Sequence, residues 1–468
     1  MGLLIRNGEV VNAGERFMAD VRADGGTITE LGARLEPRAG DTVIDAAGRH
    51  VLPGFVDPHV HMELPFMGTV SADDFESGTA SGAAGGTTCI IDFCIPAPGE
   101  SLLAALETWR GRAAKAVTDY TFHMAITSWS ERTAAEMREV VERHGITSFK
   151  VFMAYKGAIM VDDGALFRVM QEAAKLGAVV TVHAENGDVV WHLQRELIAR
   201  GNTGPEFHPV SRPSAVEGEA TERALMMARL TGAAAYIVHM TCKEAVHALE
   251  RAKLEGQRCY GETCPQYLLL DDTVFDRPDF EGSAFVMSPP IRPPHAGHHA
   301  ALWNGLAHRM LDAVGTDHCP FTHEQKKMGL GDFTKIPNGA AGIEDRLLLL
   351  YTHGVRAGRF DLCRMVELGA AAPARIFGLA RKGAVAVGMD ADLVVLDPEG
   401  RGVRSAKTHH SRGDRNVFEG IETRGRIAAT IVGGAVVWDG ARLTPTRGAG
   451  RFIARTPSHF AHHAEVRP

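Results

Sequence analysis

Short runs of apolar residues alternate with longer helix-like stretches through the middle of the chain. The apolar runs lie at 51–56, 88–94, 119–126, 148–154, 179–184, 235–240, 258–263 and 311–316. Between most of them are stretches rich in Ala, Glu, Arg and Leu, at 101–117, 130–144, 164–176 and 215–231. Alternation of strands and helices predicts a parallel sheet. Eight such units over roughly 300 residues fit a TIM-like (β/α)8 barrel with insertions; a doubly wound open sheet is the alternative.

The two ends of the chain have a different texture, with short strands separated by turns. The predicted strands are 3–11, 19–21, 27–31 and 41–45 near the start, and 393–396, 427–432 and 435–438 near the end. Turns rich in Gly or Asp separate them, which is typical of antiparallel β-structure. We therefore predict an α/β fold with three parts: a β-sandwich domain from 1–53 and 383–445, a barrel from 54–382, and a tail at 446–468.

Composition narrows the class of protein. At 468 residues the chain can bury a large core. Its formal charge is −7 and no run of Lys or Arg occurs, so nucleic acid is not an expected partner. No apolar stretch approaches the ~20 residues of a membrane span, and the start lacks the pattern of a secretory signal. The seven cysteines are scattered without a Cys-x-x-Cys pair, which favours reduced thiols and a cytoplasmic location.

The first apolar run ends in Asp57-Pro58-His59-Val60-His61. Residues i and i+2 of a strand point to the same side, so the two imidazoles could bind one metal ion. Imidazole suits zinc and its first-row neighbours. A His-x-His pair alone is weak evidence, because most such histidines lie on the surface or are hydrogen-bonded in the core. The interpretation depends on what the other strand ends carry.

Other strands of the predicted barrel also carry polar residues at or near their ends, and these are Lys150, His183, His239 and Asp317. Each has an ordinary explanation by itself: a hydrogen-bonded core histidine, or an aspartate in a turn or helix cap. However, the carboxyl ends of barrel strands meet at one face, where barrel enzymes place their chemistry. Four histidines and one aspartate at that face together predict a metal centre.

Lys150 is the unusual member of this group, because it lies between Phe149 and Val151. A buried ammonium group is costly unless it is paired. A salt bridge is one explanation. The other is carbamylation by carbon dioxide, which would convert the amine into an anionic carboxylate-like group able to bridge two metal ions. The residues alone leave both open.

Eight segments of the chain resemble those of one enzyme family. They are GFVDPHVHMELPFMGTVSADDFESGT, GGTTCIIDF, SFKVFMAYKG, TVHAENGD, YIVHMTCKEA, VMSPPIR, GTDHCPF and IPNGAAGIEDR. On these segments the chain resembles the dihydropyrimidinases, also called D-hydantoinases, of the cyclic amidohydrolase superfamily. The resemblance covers almost the whole length.

The resemblance implies a set of site residues and two zinc ions per subunit. One zinc would be bound by His59, His61, Asp317 and Lys150 as N6-carboxylysine; the second by the same carbamate with His183 and His239. Tyr155 would hydrogen-bond the substrate carbonyl and its developing oxyanion. The main chains of Ser288 and Asn338 would hold the ring amide. Carbon dioxide is needed for the carbamate, and a homotetramer is implied, with the tail reaching a neighbouring subunit.

The implied reaction is hydrolysis of a ring amide. A metal-bound hydroxide would attack the carbonyl, and Asp317 would move its proton to the leaving nitrogen. Dihydrouracil, dihydrothymine or a 5-substituted hydantoin would give an N-carbamoyl amino acid. An allantoinase-like enzyme is one alternative. The other is a non-catalytic scaffold like the animal collapsin-response-mediator proteins, which have lost metal ligands; here all six ligand positions are filled.

The segment after the second histidine bears on the substrate. Dihydroorotases carry an Arg there that pairs with the substrate carboxylate, whereas this chain has Met62, and 62–70 contains no cation. A carboxylate substituent would be desolvated without a partner. We therefore expect a neutral or apolar ring substituent. The residues that either line its pocket or only pack the loops are Met62, Leu64, Phe66, Phe152 and Ile159.

Overall fold

The computed structural model describes residues 2–444 and 446–459. Its centre is an eight-stranded parallel sheet in which the strands follow one another in chain order. They are Phe55–Val60, Thr87–Cys94, Asp119–Ala125, Ser148–Phe152, Val179–His183, Ala234–Ile237, Cys259–Thr263 and Ala313–Val314. We number them as barrel strands one to eight. Nearly all their residues are buried, including the polar ones, as expected for a parallel sheet covered on both faces.

Strands one and eight close the sheet into a barrel. Val60 and His318 form a parallel bridge. Asp317 N donates to His59 O at 2.9 Å, and His61 N donates to His318 O at 2.8 Å. The predicted barrel is therefore confirmed, and the open-sheet alternative is wrong. The closure also has a consequence for chemistry, because the seam joins the His-x-His segment to the segment that contains Asp317.

Helices surround the barrel, and several begin at a residue whose side chain caps the first turn. The Asp162 side chain, for example, accepts from Ala165 N at the start of Asp163–Leu176, and Gly177 ends that helix with a φ of 65°. The α-helices are Phe75–Ala84, Leu102–Ala113, Glu131–Glu142, Asp163–Leu176, Gly187–Ala199, Phe207–Val210, Ser214–Thr231, Lys243–Leu254, Pro265–Leu269, His298–Ala307, His323–Lys326, Arg346–Leu350, Leu362–Val366 and Ala372–Phe377. Short 3₁₀ and π segments occupy Asp272–Asp276, Glu281–Phe285, Pro294–Ala296, Lys327–Gly329, Phe333–Lys335, Tyr351–Val355 and Glu367–Ala371.

A second sheet combines both ends of the chain. Its strands are Gly2–Val11, Arg16–Asp24, Thr27–Gly32, Thr42–Asp45, His50–Pro53, Leu393–Val403, Glu422–Val432 and Ala435–Trp438. His50–Pro53 connects the two halves, since it pairs with Gly2–Val11 on one side and with Leu393–Val403 on the other. The terminal β-unit is thus present, while the domain boundaries remain a prediction.

The apolar run 51–56 does not form one strand, which corrects the sequence interpretation. It divides at Gly54 between the terminal sheet and barrel strand one. Gly54 N donates to Asp392 O at 2.7 Å, and a Cβ at this position would lie 2.1 Å from Thr88 Oγ1. The tight passage from one sheet to the other therefore requires a glycine.

The described part of the predicted tail packs against the chain's own barrel. Arg455 is buried and donates to the carbonyl oxygens of Phe122 and Phe377, while His459 Nε2 bonds to Ile376 O at 2.8 Å. Residues 460–468 lie outside the described residues. Of the helices that the structure describes, none combines the length and the apolar character needed to cross a bilayer.

Candidate metal centre

The predicted metal-binding residues converge at the carboxyl ends of the barrel strands. Asp317 Oδ1 lies 3.2 Å from His59 Nε2 and 3.2 Å from His61 Nε2. The hydrogen bonds of the barrel seam hold these three residues together. His239 lies next to this group, with its ring centroid 5.2 Å from that of His59, and His183 follows at 4.6 Å from His239.

Three of these residues are close enough to share one ion. Donor atoms of His59, His239 and Asp317 all lie within 4.8 Å of one another. Neutral imidazole nitrogens and a carboxylate oxygen are donors that suit zinc and other divalent first-row metals. The chemistry of the donor set is therefore that of a metal centre.

Lys150 lies in the same cluster and is almost fully buried. Its Nζ is 4.8 Å from the ring centroid of Phe93 and 5.0 Å from that of Phe152. It forms no ion pair with any residue that the structure describes, so the salt-bridge explanation is wrong for this lysine. Burial lowers the pKa of Lys150 to about 7. A large share of the amine is therefore neutral near physiological pH.

Two glutamates that sequence reasoning missed orient the histidines. Glu262 lies 2.7 Å from His59 Nδ1 and accepts from the Tyr236 hydroxyl at 2.8 Å. Glu185 lies 2.7 Å from His183 Nε2 and pairs with Arg212 at 2.5 Å. Metal-binding histidines commonly bond their second nitrogen to a carboxylate in this way. In the sequence, the only indication of these roles is position: Glu262 lies within a barrel strand, and Glu185 follows one by two residues.

The charge distribution also suits a cation. Burial acts to lower the pKa of His59, but the carboxylates of Asp317 and Glu262 outweigh it and raise that pKa to about 9. Burial lowers the pKa of His61 to about 4 and holds that of His239 well below its usual range. For Asp317, burial acts to raise the pKa, but His59 and His61 hold it well below the usual range. The cluster thus favours a positive charge at His59, between the carboxylates of Asp317 and Glu262, while His61 and His239 stay neutral.

Several buried donor atoms have no hydrogen-bond partner within the described residues. They are His59 Nε2, His61 Nδ1 and His239 Nδ1; the 3.2 Å contact of His59 with Asp317 lacks hydrogen-bond geometry. Buried polar atoms are rarely left unpaired. The unpaired nitrogens of His59 and His239, two of the three residues close enough to share an ion, fit a metal ion as their missing partner.

Three residues of the site have a left-handed backbone. The φ angles are 67° for Tyr155, 39° for His239 and 53° for Asp317. Such conformations cost of order 1–3 kcal/mol each outside glycine and are typical of functional sites. Here they follow strands four, six and eight at the points where the chain turns into the cleft.

A cleft of about 480 Å³, partly open to solvent, lies above the cluster. Its lining includes all the predicted site residues except Met62, together with three that were not predicted. The predicted ones are His59, His61, Leu64, Phe66, Lys150, Phe152, Tyr155, Ile159, His183, His239, Ser288, Asp317 and Asn338, and the additional ones are Ile95, Cys319 and Gly339. Each additional residue lies within two positions of a strand end or of a predicted residue.

Met62 does not line the cleft, which corrects one of the two roles considered for it. Its side chain is completely buried, and a Cβ added to Gly78 would lie 2.1 Å from its sulfur. Met62 therefore packs against the helix Phe75–Ala84. Position 62 is still uncharged, but the Met62 side chain packs in the core and does not line the cleft.

One wall of the cleft is formed by the two loops that carry Ser288 and Asn338. Asn338 Nδ2 donates to Ser288 Oγ at 2.9 Å, which places the two loops side by side. Within the described chain, no residue bonds to the main-chain N–H or C=O of either Ser288 or Asn338. Tyr155 lies next to them, and burial raises the pKa of its hydroxyl to about 12, so it stays protonated. Two residues with unpaired main-chain groups and a phenol thus line the same cleft as the donor cluster.

Comparison with known proteins agrees with this site. The amidohydrolase family profile matches residues 50–437. The D-hydantoinase of Geobacillus stearothermophilus is 45% identical over 97% of each chain, and the dihydropyrimidinase of Dictyostelium discoideum is 44% identical over 97% of this chain and 91% of its own. The crystal structure of dihydropyrimidinase from Brevibacillus agri is 44% identical, covers 99% of this chain and 100% of its own, and superposes with a TM-score of 0.96. The chain therefore belongs to the amidohydrolase family, in the group of the dihydropyrimidinases and hydantoinases.

Proposed function

We propose that this chain hydrolyses the ring amide of 5,6-dihydropyrimidines, such as dihydrouracil and dihydrothymine, and of 5-substituted hydantoins. The products would be N-carbamoyl amino acids. One observation carries the proposal: the histidine–aspartate–lysine cluster lines the same cleft as Ser288 and Asn338, whose main-chain groups have no bond within the described chain. A cyclic amide bound to those main-chain groups would lie in the same cleft as the cluster. The relatives named dihydropyrimidinase and D-hydantoinase support the same reaction.

The proposed cofactors are two zinc ions. His59, His61, Asp317 and a Lys150 carbamate would hold one, and the carbamate with His183 and His239 would hold the other. When bound, such ions act as Lewis acids and lower the pKa of water from ~15.7 to about 7. The donor chemistry and the unpaired imidazole nitrogens support this assignment.

Carbamylation of Lys150 fits its surroundings. The neutral amine would add to the carbon of carbon dioxide, forming an N–C bond, and lose one proton to give an anionic carbamate. Burial between two phenyl rings favours the neutral amine that this step needs. Because no described residue forms an ion pair with Lys150, its Nζ is free to react.

Asp317 and Tyr155 have separate tasks in the proposed reaction. Asp317 accepts the proton of the attacking water and donates it to the leaving ring nitrogen. The Tyr155 hydroxyl donates a hydrogen bond to the oxyanion that develops on the ring carbonyl. A preorganised donor of this kind contributes about 3–4 kcal/mol to the lowering of the barrier. Because its pKa is raised to about 12, Tyr155 remains a donor throughout.

The cleft lining favours an uncharged ring substituent. Ser288 and Asn338 would bind the ring amide, while Leu64, Phe66 and Phe152 would contact the substituent, with Ile159 beside them. No arginine occurs among the described residues of the lining. A carboxylate substituent would therefore be desolvated without a partner, which disfavours a dihydroorotate-like ring.

A comparison of three substrates tests the proposed function. We expect a zinc-loaded sample to open dihydrouracil or 5-phenylhydantoin at least about tenfold faster, by kcat/KM, than allantoin. Ring opening is measured as the loss of the ring's absorbance, and the carbamoyl product is detected separately. Preference for allantoin would favour the allantoinase alternative, and no turnover on any ring would favour the non-catalytic scaffold.

Glu262→Gln tests the role of the carboxylate behind His59. The substitution keeps the shape of the side chain but removes the charge that orients the imidazole. We expect the dissociation constant for zinc to rise about 10–100-fold, as for other such partners, measured by competition with a chromogenic chelator. Glu255→Gln, on an exposed helix end, is the control and should bind zinc like the parent chain. Equal zinc affinity in the two variants would contradict the assignment.

The homotetramer that the resemblance implies and the cytoplasmic location that the scattered cysteines indicate both stay proposals, as does the small cyclic amide as ligand. The free cysteines are consistent with a reducing compartment; all seven lie among the described residues and six of them are buried.

A further inference from the structure

Lys326 is a buried lysine outside the donor cluster. It ends the short helix His323–Lys326 and is almost fully buried. Its Nζ donates to three main-chain carbonyl oxygens, those of Val286 at 2.9 Å, Pro337 at 2.6 Å and Gly339 at 2.8 Å. No carboxylate of the described chain forms an ion pair with it. A buried ammonium group without a counter-ion is costly. In the described chain these three bonds offset the cost, together with the ring of Phe321, whose centroid lies 5.7 Å from Lys326 Nζ.

The three carbonyl groups belong to the two loops that form the amide wall of the cleft. Val286 lies two residues before Ser288, and Pro337 and Gly339 flank Asn338. Direct links between the loops are few: Gly339 N donates to Val286 O at 3.0 Å, and Asn338 Nδ2 donates to Ser288 Oγ. Lys326 is not part of the cleft lining. It therefore fixes the loops from behind while its charge stays away from the ligand.

The bonding pattern explains why the main-chain groups of Ser288 and Asn338 are free. Lys326 engages the carbonyl groups on either side of Asn338 and one that precedes Ser288. Tyr267 OH and His208 Nε2 bond to Pro289 O and Met287 O, on the two sides of Ser288. The carbonyl groups on both sides of Ser288 and of Asn338 are thus held by protein donors, whereas the main-chain groups of these two residues have no bond within the described chain.

We infer that Lys326 is a positioning residue that sets the spacing of the two loops and thereby the affinity for the ring amide. The inference rests on the proposed function, because the ring amide is its ligand. A displacement of about 1 Å in a group that positions a substrate can cost as much as a hundredfold in rate. Lys326 does not touch the reacting atoms, and its effect is exerted through Ser288 and Asn338.

Lys326→Met tests this inference, because it keeps the length of the side chain and removes all three donors. We expect KM for the preferred ring to rise about tenfold or more, with a smaller fall in kcat, and bound zinc to equal that of the parent chain. The matched control is Lys243→Met: Lys243 also donates to a loop carbonyl, Ala296 O at 3.0 Å, but lies away from the cleft. Its KM should stay within about twofold of the parent value.

Lys326→Gln serves as the second variant, because its amide keeps two N–H donors. We expect its KM to lie between those of the parent chain and Lys326→Met. An unchanged KM in folded Lys326→Met, a loss of zinc, or a fall in kcat alone would overturn the inference. Failure of both variants to fold would also overturn it, in favour of a structural role. A parent chain that opens no ring refutes the proposed function instead, so the two failures are distinguishable.

Discussion

Lys150→Ala is expected to remove the bridged metal ion and to reduce ring opening by at least about a thousandfold. The reason is that Lys150 is the only proposed ligand common to both ions, so its loss leaves the second ion with two imidazoles. Alanine also leaves a void next to Phe93 and Phe152 and provides no ligand atom in place of the anionic carbamate. Metal content by mass spectrometry and kcat on the preferred ring provide the measurement.

A matched control and a rescue experiment complete this test. Lys175→Ala, on the exposed face of the helix Asp163–Leu176, should retain parent metal content and activity. Short carboxylates such as acetate or propionate should restore part of the activity of Lys150→Ala, since they can occupy the position of the carbamate. Full activity of Lys150→Ala without any additive would disprove the bridging role.

Asp317→Asn is expected to lower kcat by about 10²–10⁴-fold, the usual contribution of a positioned general base, while the fold survives. Asparagine has nearly the same shape, so the hydrogen bond of residue 317 N to His59 O and the barrel seam should persist. Its amide cannot accept and return the proton. Steady-state kinetics give kcat, and thermal unfolding reports the fold.

Asp276→Asn, at an exposed position, is the control for the charge change and should turn over like the parent chain. Parent-like rates in Asp317→Asn would exclude the proton-transfer role. Because Asp317 is also a proposed metal ligand, zinc content must be measured in the same sample. A variant that keeps its zinc and loses turnover supports the assignment most clearly.

The barrel and its donor residues could be predicted because both depend on local patterns. Runs such as 179–184 are apolar, buried and bounded by helix-like stretches, and the carboxyl ends of parallel strands meet in space. His183 and His239 therefore had to lie near each other once the barrel was inferred. The division of 51–56 at Gly54 could not be predicted, because it depends on Thr88 and Asp392, which are distant in sequence.

The residues behind the site were beyond sequence reasoning for the same reason. Glu262 is a single glutamate in a strand, and nothing in its neighbourhood indicates that it faces His59. Lys326 occurs in a polar segment that suggests an exposed side chain, whereas tertiary packing buries it under two loops. For Met62 the sequence left two roles open, lining the substituent pocket or packing the loops, and only the structure shows its side chain against Gly78.

The most direct test of the central claim, that ring opening requires metal ions held by the strand-end donors, is reconstitution of metal-depleted protein. The chain is stripped with a chelator, dialysed, and assayed with the preferred ring after zinc is added with or without bicarbonate. We expect no turnover without metal, and recovery with zinc that is faster and more complete when bicarbonate is present. Unchanged turnover after complete metal removal, or no ring opening after zinc has bound, would contradict the account.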